Sequence, residues 1–224
     1  MRSKTQFFIL FVYSLNSFVL LVLKFCFFSI LLSPIMNSPM VCDESVLVIV
    51  GGMGPMAGIE CYKYVLENTT TNGTDQDNLN SLILSYPRNI GNRVDYVLGK
   101  SCKNPGESVL DFLQPQLECL VRTYKRVIIG VACITFHCPS VFSVFQQGVK
   151  SRFPDVELVS IISATVEFVR ALYPHLKRVG IMSTDGTRHA RPFEDDMSKQ
   201  EISLVYLNED QQSIITSCIF NEQW

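Results

Sequence analysis

Residues 46–70 read VLVIVGGMGPMAGIECYKYVLENTT, and the order of their chemistry sets the fold class. Val46 to Val50 is a continuous apolar run, β-branched at all but Leu47, the mark of a strand covered on both faces. Gly51 and Gly52 make a tight turn. Pro55 then opens a helix, where its missing N–H costs nothing because the first helical N–H groups have no partner inside the helix. Ile59, Tyr62, Val65 and Leu66 follow at helical spacing. A buried strand that passes through a glycine turn into a helix is the first half of a parallel α/β unit.

The same alternation continues outward. SLILSY (Ser81 to Tyr86) reads as a strand stopped by Pro87, and Arg88, Asn89, Gly91, Asn92 and Arg93 as a loop. A helix is expected from Gly106 to Tyr124, with Val109, Leu110, Leu113, Leu117, Leu120 and Val121 on one side. RVIIGVA (Arg126 to Ala132) is a third strand, and Pro139 starts a helix that Pro154 closes. From Val156 the alternation restarts with VELVSI, a helix from Ser163 to Tyr173, RVGIMST, a helix around Arg191 to Gln200, and ISLVYL. The expected fold is α/β: two similar lobes with parallel sheets flanked by helices in a flavodoxin-like layout, residues 46–155 and 156–224. The chain stops soon after its last strand, so the second lobe and its closing helices are expected to be incomplete.

Composition narrows the function. The chain has 224 residues, 47% of them apolar, enough for a sizeable core, and a formal net charge of −2 with Lys and Arg scattered. Nucleic acid is not an expected partner. Residues 1–36 are strongly apolar, and Arg2 and Lys4 precede a nearly uncharged run from Phe7 to Leu23. This segment reads as an uncleaved anchor with membrane contact through residues 7–32, as a signal peptide, or as a translated artefact upstream of Met36 or Met40. Eight cysteines contain no CxxC pair, which suits a reduced, cytoplasmic globular part, membrane-anchored if the first segment is genuine.

Two motifs carry chemistry. Gly52, Gly54 and Ala57 form G-x-G-x-x-A after a strand and before a helix, but the next strand ends in Ser85, Tyr86 and Pro87, without the acidic residue that holds a dinucleotide ribose. A turn whose N–H groups face a carboxylate, or a tight turn alone, remains. GVACITFHCPS (130–140) brings Cys133, His137 and Cys138 together. No second Cys/His cluster completes a metal site, so none is expected. A thiol at the carboxyl end of a parallel strand, just before a helix, suits catalysis because ligands bind at that edge. A packed, inert thiol is the competing reading, and the favoured one for Cys138.

LVIVGGMGPMAG, DQDN (Asp75 to Asn78), YPRNIGNR, VACITFH and STDGT (Ser183 to Thr187) occur in an order and spacing that resembles the aspartate/glutamate racemase family, from about Val46 to Phe220. The resemblance implies two lobes, each with a four-stranded parallel sheet, facing across a cleft, with no cofactor and no pyridoxal phosphate. It implies a small amino-acid substrate with an acidic side chain favoured, and a homodimer. Inversion needs a proton removed from one face of Cα and delivered to the other, hence one cysteine from each lobe. The family's C-N-T-x-H motif falls on Cys133, Ile134, Thr135, Phe136 and His137. Cys133 thereby takes the acid/base role, Thr135 a hydrogen bond to substrate, and His137 an orienting or supporting place. Met53 and Gly54 lie in the turn facing the substrate, Arg93 is the candidate for a side-chain carboxylate clamp, and Thr184, Gly186 and Thr187 are the second lobe's contribution. Ile134 stands where the family has Asn, and the G-C-T-E motif of the second cysteine is absent; Cys218 lies in a different context. The alternatives are a catalytically impaired racemase-like binding protein, or related hydantoin racemase or maleate isomerase chemistry.

Overall fold

The run Val46–Val50 is almost wholly removed from solvent, at 0–3% exposure, because it lies inside a sheet with helices on both faces. The computed structural model describes residues 9–14, 17–22 and 44–220, the first two stretches by backbone pairing only. The elements are β1 (Ile9–Ser14), β2 (Ser17–Val22), β3 (Ser45–Gly51), α1 (Pro55–Asn68), β4 (Ser81–Ser85), α2 (Arg93–Val97), α3 (Pro105–Thr123), β5 (Arg126–Val131), α4 (Pro139–Arg152), β6 (Glu157–Val159), α5 (Ile161–Leu172), β7 (Arg178–Met182), α6 (Asp185–Ala190), α7 (Glu194–Lys199), β8 (Ser203–Tyr206) and α8 (Glu209–Phe220). Single 3-10 turns cover Asp75–Asp77 and Thr135–His137.

The first sheet has the order β4-β3-β5-β6, parallel throughout. Strand periodicity divides its side chains between two layers. Val46, Val48 and Val50 of β3 and Val127, Ile129 and Val131 of β5 pack with Val109, Leu113 and Leu117 of α3 and Val141, Phe145 and Val149 of α4. Leu47, Ile49 and Ile128 point the other way, onto Cys61 and Val65 of α1. Chain order reverses between β3 and β5, which makes the crevice beyond their carboxyl ends the natural ligand site of such a sheet. At the end of β3, Gly52 has φ of +89°, and a Cβ there would stand 3.0 Å from the Tyr86 nitrogen and 3.2 Å from that of Pro87. Only glycine meets both demands.

VELVSI, expected to open the second lobe, belongs to the first sheet. Ile128, Ile129 and Gly130 pair with Glu157, Leu158 and Val159, and Arg126 forks onto Glu157 at 2.6 and 2.8 Å. This strand, placed in the second lobe by the boundary expected at Asp155, thus pairs with β5 of the first sheet. Periodicity marks a strand without saying which neighbour it takes, and α4 returns this one to the free edge of β5.

In the second lobe, β7 and β8 are parallel. Ile162, Val166 and Val169 of α5 pack with Val179 and Ile181 of β7, Phe193, Met197 and Ile202. The sheet as a whole is mixed rather than parallel, with the order β2-β1-β7-β8, because β1 pairs antiparallel with both β2 and β7. The apolar segment read as an anchor, signal or artefact thus places Ile9–Ser14 and Ser17–Val22 in a hairpin on the edge of β7; the rest of residues 1–36 lies outside the described residues. An apolar run alone does not distinguish a strand from a helix. Among the described residues no helix is long and apolar enough to cross a membrane.

Two short helices were unexpected. The segment read as a loop at Arg93 forms α2, whose cap Asn92 accepts hydrogen bonds from the Val94 and Asp95 N–H groups. The STDGT segment becomes α6, with the Thr184 hydroxyl accepting from the Thr187 N–H. Neither has enough turns to display a helical period, yet both carry candidate site residues.

Candidate active site

The switch point of the first sheet gathers the candidates from that lobe. Cys133 lies just past β5, 7% exposed, its N–H bonded to the Val131 carbonyl at 2.9 Å. Its side chain shares an apolar cluster with Met53, from the turn after β3. Arg93 reaches this turn from α2: one terminal nitrogen donates to the Met53 carbonyl at 3.2 Å, the other to the Gly91 carbonyl at 3.3 Å. The Arg93 Nε–H is buried with no protein acceptor. Gly54 caps α1 at its N-terminal end, where helix N–H groups are free to meet an anion.

The second lobe meets the first through hydroxyl groups. Thr135 Oγ1 stands 2.9 Å from Thr187 Oγ1 and 3.3 Å from Thr184 Oγ1, and Thr184 donates to Thr187 at 3.2 Å. All three are buried, at 4%, 3% and 1% exposure. Each hydroxyl is both donor and acceptor, so the triad can rearrange around a carboxylate or an ammonium group without losing every partner. Gly186 makes the approach possible. A Cβ on it would lie 3.1 Å from Val94 Cα and 3.3 Å from Thr135 Cγ2, so a side chain here would drive α6 away from α2 and the Thr135 turn.

His137 is not turned toward the crevice. Its Nδ1–H donates to the Cys133 carbonyl at 2.9 Å, and its Nε2 faces the Ile161 N–H at 3.4 Å. The ring stacks on Phe142 with centroids 4.4 Å apart. Both nitrogens serve the protein, so its place is to hold the end of β5. Burial lowers its pKa to about 4, against the smaller opposing pull of the Cys133 and Val159 carbonyls. The unfolded ring titrates near 6.5, so between pH 6.5 and 4 the unfolded chain binds more protons and stability falls as pH is lowered, levelling off below the folded value. Relative to a His137→Gln variant, the wild type is expected to lose of the order of 3 kcal/mol across that window, read from urea unfolding at several pH values. Parallel pH profiles for the two proteins would exclude a buried neutral ring.

Cys138 is fully buried, and its thiol lies 4.0 Å from the Gly186 carbonyl. Burial, followed by the charge of Cys133, raises its pKa to about 12, as befits an inert packing residue. Ile134 also avoids the crevice. It packs in the second lobe's core with Ile162, Val166 and Phe193, although the chain has only just left β5. Among the described residues no group of three or more His, Cys, Asp or Glu side chains could hold a metal ion. One contributor was not expected from sequence: Gln212 of α8, buried beneath the Ser183–Asp185 turn. Gln212 and Thr216 stand four residues apart, a spacing that puts both on one helix face, but nothing local says what that face meets.

The described residues define a two-lobed α/β protein whose candidate site lies at the carboxyl edge of a parallel sheet, where Thr135 meets Thr184 and Thr187 of the second lobe. No family model matches the sequence. In fold the chain is similar to the aspartate racemase of Picrophilus torridus, with a TM-score of 0.61 and 18% identity over 80% of this chain and 69% of that one. It is similar also to an aspartate racemase homologue from Pyrococcus horikoshii OT3, with a TM-score of 0.53 and 21% identity over 79% of this chain and 70% of that one. The likeness is one of fold.

Proposed function

We propose that this chain is an amino-acid racemase of the aspartate/glutamate type, working at the substrate Cα through cysteine acid/base chemistry without pyridoxal phosphate. The observation that carries the reading is the position of Cys133 at the switch point of the first sheet, next to a buried threonine triad shared by both lobes. Cys133 as thiolate takes the Cα proton: an S–H bond forms, the C–H bond breaks, and the electron pair passes into the carboxylate. Arg93, held at the Met53 turn by its terminal nitrogens, is the clamp for the substrate's side-chain carboxylate. The Thr135, Thr184 and Thr187 hydroxyls orient the amino acid, so that Cα faces the thiolate. Reduced thiol chemistry suits a cytoplasmic setting. An acidic side chain is the favoured substrate feature, through its likeness in fold to aspartate racemase.

A second reading, a binding protein of this fold without turnover, is favoured by one observation. Among the described residues no other cysteine answers Cys133 from the second lobe's buried face: Cys138 follows the same strand end, and Cys218 is exposed on α8. Incubation with each enantiomer of aspartate and glutamate, followed by chiral chromatography, separates the readings. Sustained interconversion is the expected result for a racemase. Solvent deuterium at Cα with retained configuration identifies one-base exchange through Cys133, and neither signal leaves the binding reading standing. The same assay with hydantoins and maleate tests the related chemistries.

A further inference from the structure

Gln212 is 4% exposed, and burying a primary amide is costly unless its N–H groups find acceptors. Here they do. Nε2 donates to the Ser183 carbonyl at 3.0 Å and to Asp185 Oδ1 at 3.0 Å. Thr216, one turn further along α8, lies 3.3 Å from the same nitrogen and donates to Asp185 Oδ1 at 3.1 Å. Ser183 and Asp185 flank Thr184, the cap of α6, so both anchors of Gln212 sit on either side of a member of the threonine triad. The Ser183 carbonyl has left the β7 ladder, and Gln212 supplies its partner. A Met or Leu would fill the same space without the two donors, so hydrogen bonding rather than volume distinguishes the residue.

We propose that Gln212 is a positioning residue for the substrate-binding hydroxyls, holding the Ser183–Asp185 turn so that Thr184 and Thr187 face Thr135. This rests on the racemase reading for its consequence on turnover, but not for its geometry. Gln212 touches no substrate and acts through Thr184. Loss of its donors frees the turn to rotate about the end of β7, which loosens ground-state binding while Cys133 is untouched.

The test uses the full chain with 13C-methyl-labelled threonine. In Gln212→Met, the methyl resonances of Thr184, Thr187 and Thr135 are expected to shift or broaden, while those of Thr165 and Thr123 stay in place. KM for the amino acid should rise about tenfold, with kcat changing less than about threefold. Gln212→Glu, which keeps the shape but replaces the amide donor, should move the same three resonances and covers the case in which the Met variant does not fold. Unchanged Thr184 and Thr187 resonances in either folded variant would overturn the proposal, as would a fall in kcat at constant KM. If the wild type shows no Cα exchange with any amino acid, the racemase reading fails by itself, and the threonine shifts still decide the role of Gln212.

Discussion

Replacing Cys133 by alanine is expected to lower solvent-deuterium incorporation at the substrate Cα by about 10²–10⁴-fold, the usual contribution of a positioned acid/base group. No nearby group can substitute. His137 has both ring nitrogens engaged with the backbone, and Cys138 is buried with its thiol pKa pushed up to about 12, so neither offers a base at neutral pH. Cys138→Ala should therefore retain exchange within a few-fold of the wild type. The measurement is mass spectrometry of L- and D-aspartate incubated in D2O. Equal deuterium uptake by the Cys133→Ala protein and the wild type would remove Cys133 from the reaction.

The second large effect concerns stability. Ile134→Asn, which installs the residue of the racemase motif that this stretch resembles, is expected to destabilise the protein by about 3–5 kcal/mol. The reason is where Ile134 goes. It is 4% exposed and packs among Ile162, Val166, Val169 and Phe193 in the core of the second lobe, so Asn would leave a cavity and bury an amide among aliphatic carbons. Ile134→Val, which removes one methyl group, should cost about 1 kcal/mol. Urea midpoints for the two variants give the comparison, and a loss below about 1 kcal/mol for the Asn variant would mean that Ile134 does not join the lobes. Ile134 thus follows β5 of the first sheet while packing in the second lobe's core.

Several elements were legible in the chain itself. Val46–Val50 and Arg126–Val131 read as buried strands because apolar, mostly β-branched residues dominate both runs, α1 and α4 announce themselves by proline at the first helical position, and α3 by its apolar face. The position of Cys133 was legible as well, just past the end of a parallel strand and before a proline-opened helix. Other elements were not. α2 and α6 are too short to show a period, and Asn92 and Thr184 reveal themselves as caps only once the turn they close is seen.

Sequence by itself determined the α/β class, the succession of strands and helices, and the strand end on which Cys133 sits, because these depend on local pattern and on turn chemistry. Tertiary structure decided the rest. It assigned β6 to the first sheet, drew Ile9–Ser14 and Ser17–Val22 onto β7, turned Ile134 away from the crevice, joined Thr135 to Thr184 and Thr187, and set Gln212 beneath their turn. Each of these is a choice of partner among groups far apart in the chain. Hydrophobicity and hydrogen-bonding capacity say that a partner is needed, whereas only the packed fold says which one is within reach.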